Sequence, residues 1–151
     1  MNKFARIAAS FLAMGSLLSP VAASAEGVSS TSEAVAQFDA AAQSSLRPST
    51  NEERMLCAGY WWGLKELHGV SQDVPFWSNM PKRLGPETAD LGRQFWAAVV
   101  TEAYKGEKNR LEEAGNKVFE YRQQMITRVV NAEETGSIEG VFDILGACVP
   151  E

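Results

Sequence analysis

Apolar residues recur every three or four positions along most of the chain, which is the spacing of side chains on one face of an α-helix. Ser32 offers an N-cap for the first such run, and Arg47-Pro48 ends it, because proline disfavours helical backbone in the residue before it. The pattern therefore predicts a short first helix. Its apolar positions are Val35, Phe38, Ala42 and Leu46.

A second helix is predicted after two overlapping capping-box signatures, Ser49 with Glu52 and Thr50 with Glu53. In a capping box, a hydroxyl and a carboxylate bind backbone N–H groups that have no partner at the start of a helix. Gly69 offers a C-terminal stop. The apolar positions of this helix are Met55, Leu56, Cys57, Tyr60, Trp61, Leu64 and Leu67.

The helical spacing disappears from Val70 to Pro86, where prolines and a glycine interrupt the chain, so we expect a loop folded back on the helices. Pro86 then begins a third helix. We expect its core-facing stripe to consist of apolar residues at helical spacing, with two neighbours widening it. The stripe is Leu91, Phe95, Val99 and Ala103, and the neighbours are Trp96 and Val100.

A fourth helix follows from about Glu107, since apolar residues recur at helical spacing as far as Val129. The alternative is one continuous helix through Gly106, at a cost of about 1 kcal/mol for the interior glycine. Gly136 ends the pattern, and Ser137 offers a cap for a last short helix that leads to Cys148. Since no segment alternates with the period of a strand, we predict an all-α bundle of four to five helices.

The first twenty-five residues have the three parts of a secretory signal peptide. A basic head is followed by the apolar stretch from Ile7 to Val21 and by the small residues Ala23-Ser24-Ala25. A membrane anchor is the alternative, but the apolar run is shorter than the roughly 18 to 20 residues that a span needs. We expect cleavage after Ala25, a flexible tail over residues 26–31, one helical domain over residues 32–151 and a periplasmic or secreted bacterial protein.

The charge of the chain argues against some classes of partner. The formal net charge is −5, and loss of the signal peptide removes two basic residues to leave −7. Binding to a phosphate backbone requires clustered lysines and arginines, and the sequence has no such cluster. We therefore expect no nucleic-acid partner and no stable membrane insertion after signal cleavage.

The two cysteines, Cys57 and Cys148, are most simply a disulfide in an oxidising compartment. The bond would close a loop of about 90 residues, for which chain entropy assigns roughly 4 to 5 kcal/mol. A redox-active or metal-binding pair is the alternative, but the C-x-x-C spacing of such pairs is missing. The bond would attach the end of the chain to the second helix.

Groups suited to catalysis are few. The single histidine, His68, lies at the predicted end of the second helix, where an imidazolium would complement the helix dipole, and we interpret it as a surface residue. A general base formed with Glu66 or Asp73 is the catalytic alternative. Adjacent glutamates on a helix point about 100° apart and do not converge on one metal ion. We predict no enzymatic activity, no cofactor and no metal site.

The aromatic residues are the best candidate for a binding patch. Three consecutive aromatic positions span about 200° of a helix surface, so Trp61 or Trp62 should lie at the rim of the core. The simpler interpretation is that the proline-rich loop covers this rim, and the functional one is an exposed patch for a partner or apolar ligand. The candidate residues are Tyr60, Trp61, Trp62, Phe76, Trp77 and Trp96.

The segment Cys57-Ala58-Gly59-Tyr60-Trp61-Trp62-Gly63 contains a C-x-G-Y-x-x-G pattern. In an exported helical chain whose other cysteine lies near the end, this pattern resembles the small periplasmic immunity proteins of type VI secretion, which are similar to HdeA-like chaperones. The resemblance implies a disulfide-bonded helical protein that binds another protein and is not an enzyme. It also implies that Gly59 and Gly63 permit close approach of a neighbouring helix.

Three functions remain as hypotheses at this point. The first is protein binding of the immunity or chaperone kind, based on the aromatic residues and on the scarcity of catalytic groups. The second is a carrier that holds a small apolar ligand or lipid between the second helix, the third helix and the proline-rich loop. The third is an enzyme that uses His68.

Overall fold

Residues 27–150, the part of the chain that the computed structural model describes, form α-helices joined by short connections. All five predicted helices are present, and the predicted loop contains two further single turns. The predicted signal peptide and Glu26 lie outside the described residues. The helices are α1 (Thr31–Gln43), α2 (Asn51–Val70), α3 (Pro75–Ser78), a 3-10 helix (Lys82–Leu84), α4 (Pro86–Ala103), α5 (Lys108–Thr135) and α6 (Val141–Ala147).

Capping boxes begin the first two helices. Thr50 and Glu53 form the box of α2, as predicted. Ser30, and not Ser32, is the N-cap of α1, because its hydroxyl and the Glu33 carboxylate satisfy the backbone N–H groups of the first turn. The predicted cap was therefore wrong by two residues. Hydrogen bonds from the capped groups lower the pKa of both glutamates.

The segment before α1 is held in place, so the prediction of a flexible tail is wrong from Val28 onward. Val28 is buried and forms an isolated antiparallel bridge with Ile138. Both backbone N–H groups of this pair donate across the bridge, over 2.9 and 2.8 Å. The bridge also takes Ile138 out of the last helix. That helix begins after Gly140, a residue that adopts the left-handed conformation, and not after Ser137 as predicted.

Gly106 separates α4 from α5. Its φ of +84° lies in the left-handed region, which glycine adopts without the steric cost that a side chain would add. The alternative of one continuous helix is therefore wrong. At the other end of α5, Gly136 has a φ of +77° and caps the helix, as its position in the sequence suggested.

Helix α2 is the centre of the fold and packs most extensively against α4 and α5. Two of its glycines lie against α5: a Cβ at Gly59 would be 2.6 Å from the Cβ of Tyr121, and one at Gly63 would be 2.7 Å from the sulfur of Met125. Glycine at both positions thus lets the two helices approach closely. This confirms the expected role of the pair.

A second layer consists of α1 and α6, which pack against each other. The chain end is joined to α2 by the disulfide between Cys57 and Cys148, whose Cα atoms are 5.4 Å apart. The all-α class and the disulfide are therefore both confirmed. Within residues 27–150, no helix has the length and apolarity needed to cross a membrane.

Candidate functional site

The six aromatic candidates do not form one exposed patch. Tyr60, Trp61, Trp77 and Trp96 are all buried, so the exposed-patch hypothesis is wrong for these four residues. The reason is the central position of α2, which is covered by α4 on one side, by α5 on another and by the chain end. Consecutive aromatic side chains can therefore enter the core in different directions.

The two remaining candidates are partly exposed and lie apart from each other. Trp62 lies at the rim, as predicted, with its ring against Phe119 and the guanidinium of Arg122. Phe76 lies beside Trp77 and against Phe142 of α6. The proline-rich loop does fold back on the helices, but it covers the C-terminal end of α2 and part of α6.

The disulfide region explains how two indoles are buried without losing their polar interactions. The Nε1–H groups of Trp61 and Trp96 both donate to the carbonyl oxygen of Cys148, over 2.8 and 2.7 Å. A buried indole N–H requires such an acceptor. These hydrogen bonds hold α2, α4 and the chain end together. They also hold the Trp96 side chain in place between the core and the protein surface.

Two large apolar residues of α4 that were predicted to face the core face solvent instead. Leu91 is 65% exposed and Phe95 is 36% exposed, while Val99 is partly buried beside them. The core face of α4 is rotated from the predicted one because Gly92 admits the ring of Trp61. That face consists of Ala89, Gly92, Trp96 and Val100.

A groove of about 470 Å³ lies along this side of α4. It lies between α2 and α4, as the carrier hypothesis expected, but its other walls are the α1–α2 connection and the chain end, not the proline-rich loop. Sequence reasoning missed it because its walls lie far apart in the chain. The groove is lined by Arg47, Pro48, Arg54, Phe95, Trp96, Val99, Glu102, Ala103 and Val149. We call this groove, together with Leu91, Phe95 and Val99, the α4 surface.

Two arginines give one end of the α4 surface a positive charge. Arg54 donates to Asn51 Oδ1 over 3.2 Å and forms no ion pair with a carboxylate of the described residues. Arg47 donates to carbonyl oxygens at the C-terminal end of α1, which holds its guanidinium in place. Glu102 lies at the same end but is engaged by Lys105 over 3.3 Å. Arg54 therefore gives the rim of the groove a cationic donor that no carboxylate of the described residues pairs with.

His68 is not a surface residue, and this prediction is wrong. It is only 6% exposed, because the loop after α2 folds over it. Its Nε2 lies 2.6 Å from the carbonyl oxygen of Leu84 and therefore carries the hydrogen, and its ring meets Trp77 edge to face. Glu66 binds Arg122 instead. The structure thus does not bring His68 and Glu66 together as an acid–base pair.

The carboxylates of Glu52 and Asp143 have unusual surroundings. Glu52 accepts a hydrogen bond from the hydroxyl of Tyr121, and burial together with this carboxylate raises the pKa of the phenol. Asp143 is buried in the first turn of α6, and its Oδ2 forms no hydrogen bond within residues 27–150. Burial raises the pKa of Asp143 because it disfavours the charged form.

The described residues contain no group of three or more histidines, cysteines, aspartates or glutamates placed to hold a metal ion. Comparisons with protein-family models, with curated proteins and with solved structures give no match to this chain. The function is therefore inferred from the α4 surface itself. The resemblance around Cys57 adds an expectation about its class.

Proposed function

We propose that this chain is an exported protein that binds another protein through the α4 surface. The observation that carries this proposal is the exposure of Leu91 and Phe95 on a helix whose opposite face is already used by the core. The core packing of α4 is complete without either side chain. Contiguous apolar surface with a polar rim is typical of protein interaction sites.

The shape of the α4 surface fits a partner segment that inserts side chains. Phe95 forms both part of the exposed stripe and part of the groove wall, so a partner would contact them as one continuous surface. Tryptophan and arginine are enriched among residues that dominate binding energy, and phenylalanine is enriched in interfaces, so Phe95, Trp96 and Arg54 suit a binding surface. An apolar segment with an acidic residue matches this arrangement.

Export is proposed on the basis of the predicted signal peptide, and the disulfide agrees with an oxidising compartment. Within exported helical proteins, the C-x-G-Y-x-x-G segment favours the immunity or chaperone class. Its glycines have the close helix contacts that the resemblance implied. The groups available on the α4 surface support binding better than they support catalysis.

A carrier of a small apolar ligand or lipid is the second candidate, supported by the volume of the groove. Ligand sites have volumes of about 300 to 1,000 Å³ and bury most of the ligand, and the groove falls within this range. However, the apolar stripe continues past the groove to Leu91, which a small ligand in the groove would leave exposed. This continuity favours a protein partner.

The test compares Leu91→Glu with Val130→Glu. Both residues are large, apolar and exposed on a helix, at 65% and 53%, but Val130 lies on α5, away from the α4 surface. A protein captured from the periplasm by the wild-type chain would be purified and titrated calorimetrically with all three proteins. We expect at least about a tenfold loss of affinity for Leu91→Glu and little change for Val130→Glu.

Equal affinity of the two variants would contradict the proposal, provided that thermal denaturation shows both to be folded. Native mass spectrometry of the purified chain tests the carrier hypothesis. A bound small molecule that is lost in Val99→Asp, together with no effect of Leu91→Glu on any captured protein, would favour the carrier.

A further inference from the structure

We infer that the disulfide between Cys57 and Cys148 controls the groove of the α4 surface, so that the chain binds its partner only in the oxidised form. The inference rests on the proposal that the α4 surface is an interface, and it names how that interface is regulated. The bond lies next to the groove, because two of the residues that line the groove are attached to Cys148. These residues are Val149 and Trp96.

Val149 is attached through the chain itself, since it follows Cys148 directly. Its side chain lines the groove and packs against the core. Its backbone N–H donates to the carbonyl oxygen of Gly146 over 3.4 Å, which is longer than the usual range of about 2.7 to 3.2 Å. The disulfide one residue earlier is therefore the firm attachment of this wall to α2.

Trp96 is attached through the carbonyl oxygen of Cys148, which accepts hydrogen bonds from Trp96 and Trp61 at once. A carbonyl oxygen can accept both because it has two lone pairs. The helix that ends at Cys148, α6, packs mainly against α1 and much less against α2. Reduction removes the covalent link and leaves only non-covalent contacts between the chain end and α2. We expect this loss to displace Val149 and Trp96 together and to open the groove.

The bond closes by exchange with an oxidant of the disulfide class. The thiolate of one cysteine attacks a sulfur of the oxidant, and the second cysteine then displaces the oxidant as a dithiol. Two electrons and two protons pass from the two cysteines to the oxidant. Because cytosolic thiols keep such pairs reduced and export compartments keep them oxidised, binding is confined to the compartment that the chain reaches after export.

The indole N–H resonances in ¹⁵N–¹H spectra report the state of the chain end directly. On reduction with dithiothreitol, we expect the resonances of Trp61 and Trp96 to shift and their hydrogen exchange to become at least about tenfold faster. Trp62, whose ring lies at the rim against Phe119, is the internal control and should keep its resonance.

Calorimetric titration of the captured partner with the variant that has alanine at both cysteine positions measures the effect on binding. No reductant is needed, so disulfides of the partner stay intact. We expect affinity to fall by at least about tenfold relative to the oxidised wild type. Circular dichroism of the variant shows whether its helices are kept.

Two oxidised variants separate an effect on the groove from a loss of folding. Val149→Ala shortens one wall and leaves the disulfide in place, and Trp96→Phe keeps a ring but removes the hydrogen bond to Cys148. Each should weaken binding by about fivefold. Val129→Ala, at a valine of α5 that is also partly buried, is the matched control and should leave binding unchanged.

A chain without the disulfide that keeps its helix content and binds with wild-type affinity would overturn the inference. So would indole resonances that reduction leaves unchanged. If the chain without the disulfide unfolds, wild-type affinity of both Val149→Ala and Trp96→Phe would overturn it. Binding that is insensitive to Leu91→Glu would overturn the proposed function as well, whereas binding that requires Leu91 but not the disulfide would overturn the inference alone.

Discussion

Gly92 of α4 lies directly against the indole ring of Trp61 of α2, so closely that a Cβ at position 92 would be 2.5 Å from the Trp61 Cδ2. This contact sets which face of α4 meets the core. Because the indole occupies the space above Gly92, the helix turns Trp96 inward and leaves Leu91 outside. The candidate surface therefore depends on the absence of a side chain at position 92.

Gly92→Ala should destabilise the fold, although alanine is normally preferred over glycine in a helix. The added methyl group must displace a ring that is 1% exposed and fixed by a hydrogen bond, so we expect a loss of about 1 to 3 kcal/mol. Urea denaturation of the oxidised protein measures the change.

Gly115→Ala is the matched control, because a Cβ at this position of α5 would meet no atom within 4 Å. It should stabilise the protein by about 0.5 to 1 kcal/mol, the usual helix preference for alanine. Stabilisation by both substitutions would show that the close contact with Trp61 is not present.

Replacing both cysteines by alanine should lower the free energy of unfolding by about 2 to 5 kcal/mol, as is usual when a native disulfide is removed from a small domain. The bond between Cys57 and Cys148 links residues 91 positions apart, so its loss frees a long loop in the unfolded chain. Denaturation of the wild type and of the double variant, both without reductant, measures the difference. A difference below about 1 kcal/mol would contradict the expected contribution.

Asp143 should make the protein progressively less stable as the pH rises from about 3.8. Burial raises its folded-state pKa above the ordinary value of 3.8, so the folded protein retains a proton that the unfolded chain has released. Its contribution to stability is then fully present below 3.8 and is lost as the pH rises from there through the raised pKa.

Asp143→Asn removes this titration. At neutral pH we expect the variant to be more stable than the wild type, because burial penalises a charged carboxylate more than a neutral amide. The gain should shrink toward about pH 3. Asp73→Asn, at an exposed aspartate, is the control. A gain that does not vary with pH would rule out titration of Asp143 as its cause.

His68→Phe should destabilise the protein because it leaves the carbonyl oxygen of Leu84 without its imidazole donor while keeping a ring against Trp77. We expect a cost of about 1 to 3 kcal/mol. His68→Gln, whose amide N–H has a similar reach, should recover part of this loss. Thermal melts of the three proteins suffice, and equal stability of the Phe and Gln variants would contradict a structural hydrogen bond.

Much of the helical architecture could be predicted because local rules determine it. The capping box of Thr50 and Glu53 and the glycines at positions 106 and 136 act within a few residues of a helix end. The cap of α1 was misplaced although Ser30 and Glu33 have the spacing of a capping box, which Ser32 lacks. Only the bridge between Val28 and Ile138, which joins distant segments, shows where α1 and α6 are anchored.

The α4 surface could not be predicted because helical spacing identifies an apolar stripe but not the direction in which it faces. Leu91, Phe95 and Val99 follow the spacing of a core face as well as any residues of the chain. The decision depends on Gly92 and Trp61, which lie on different helices. Similarly, nothing local shows that the loop after α2 buries His68.

The helices, most of their limits and the pairing of the two cysteines follow from the amino-acid order, because each depends on short-range backbone chemistry or on the number of thiols. The tertiary structure alone decided which side chains face solvent. Burial depends on which distant residues fill the space around a side chain, and here the ring of Trp61 above Gly92 left Leu91 and Phe95 of α4 exposed.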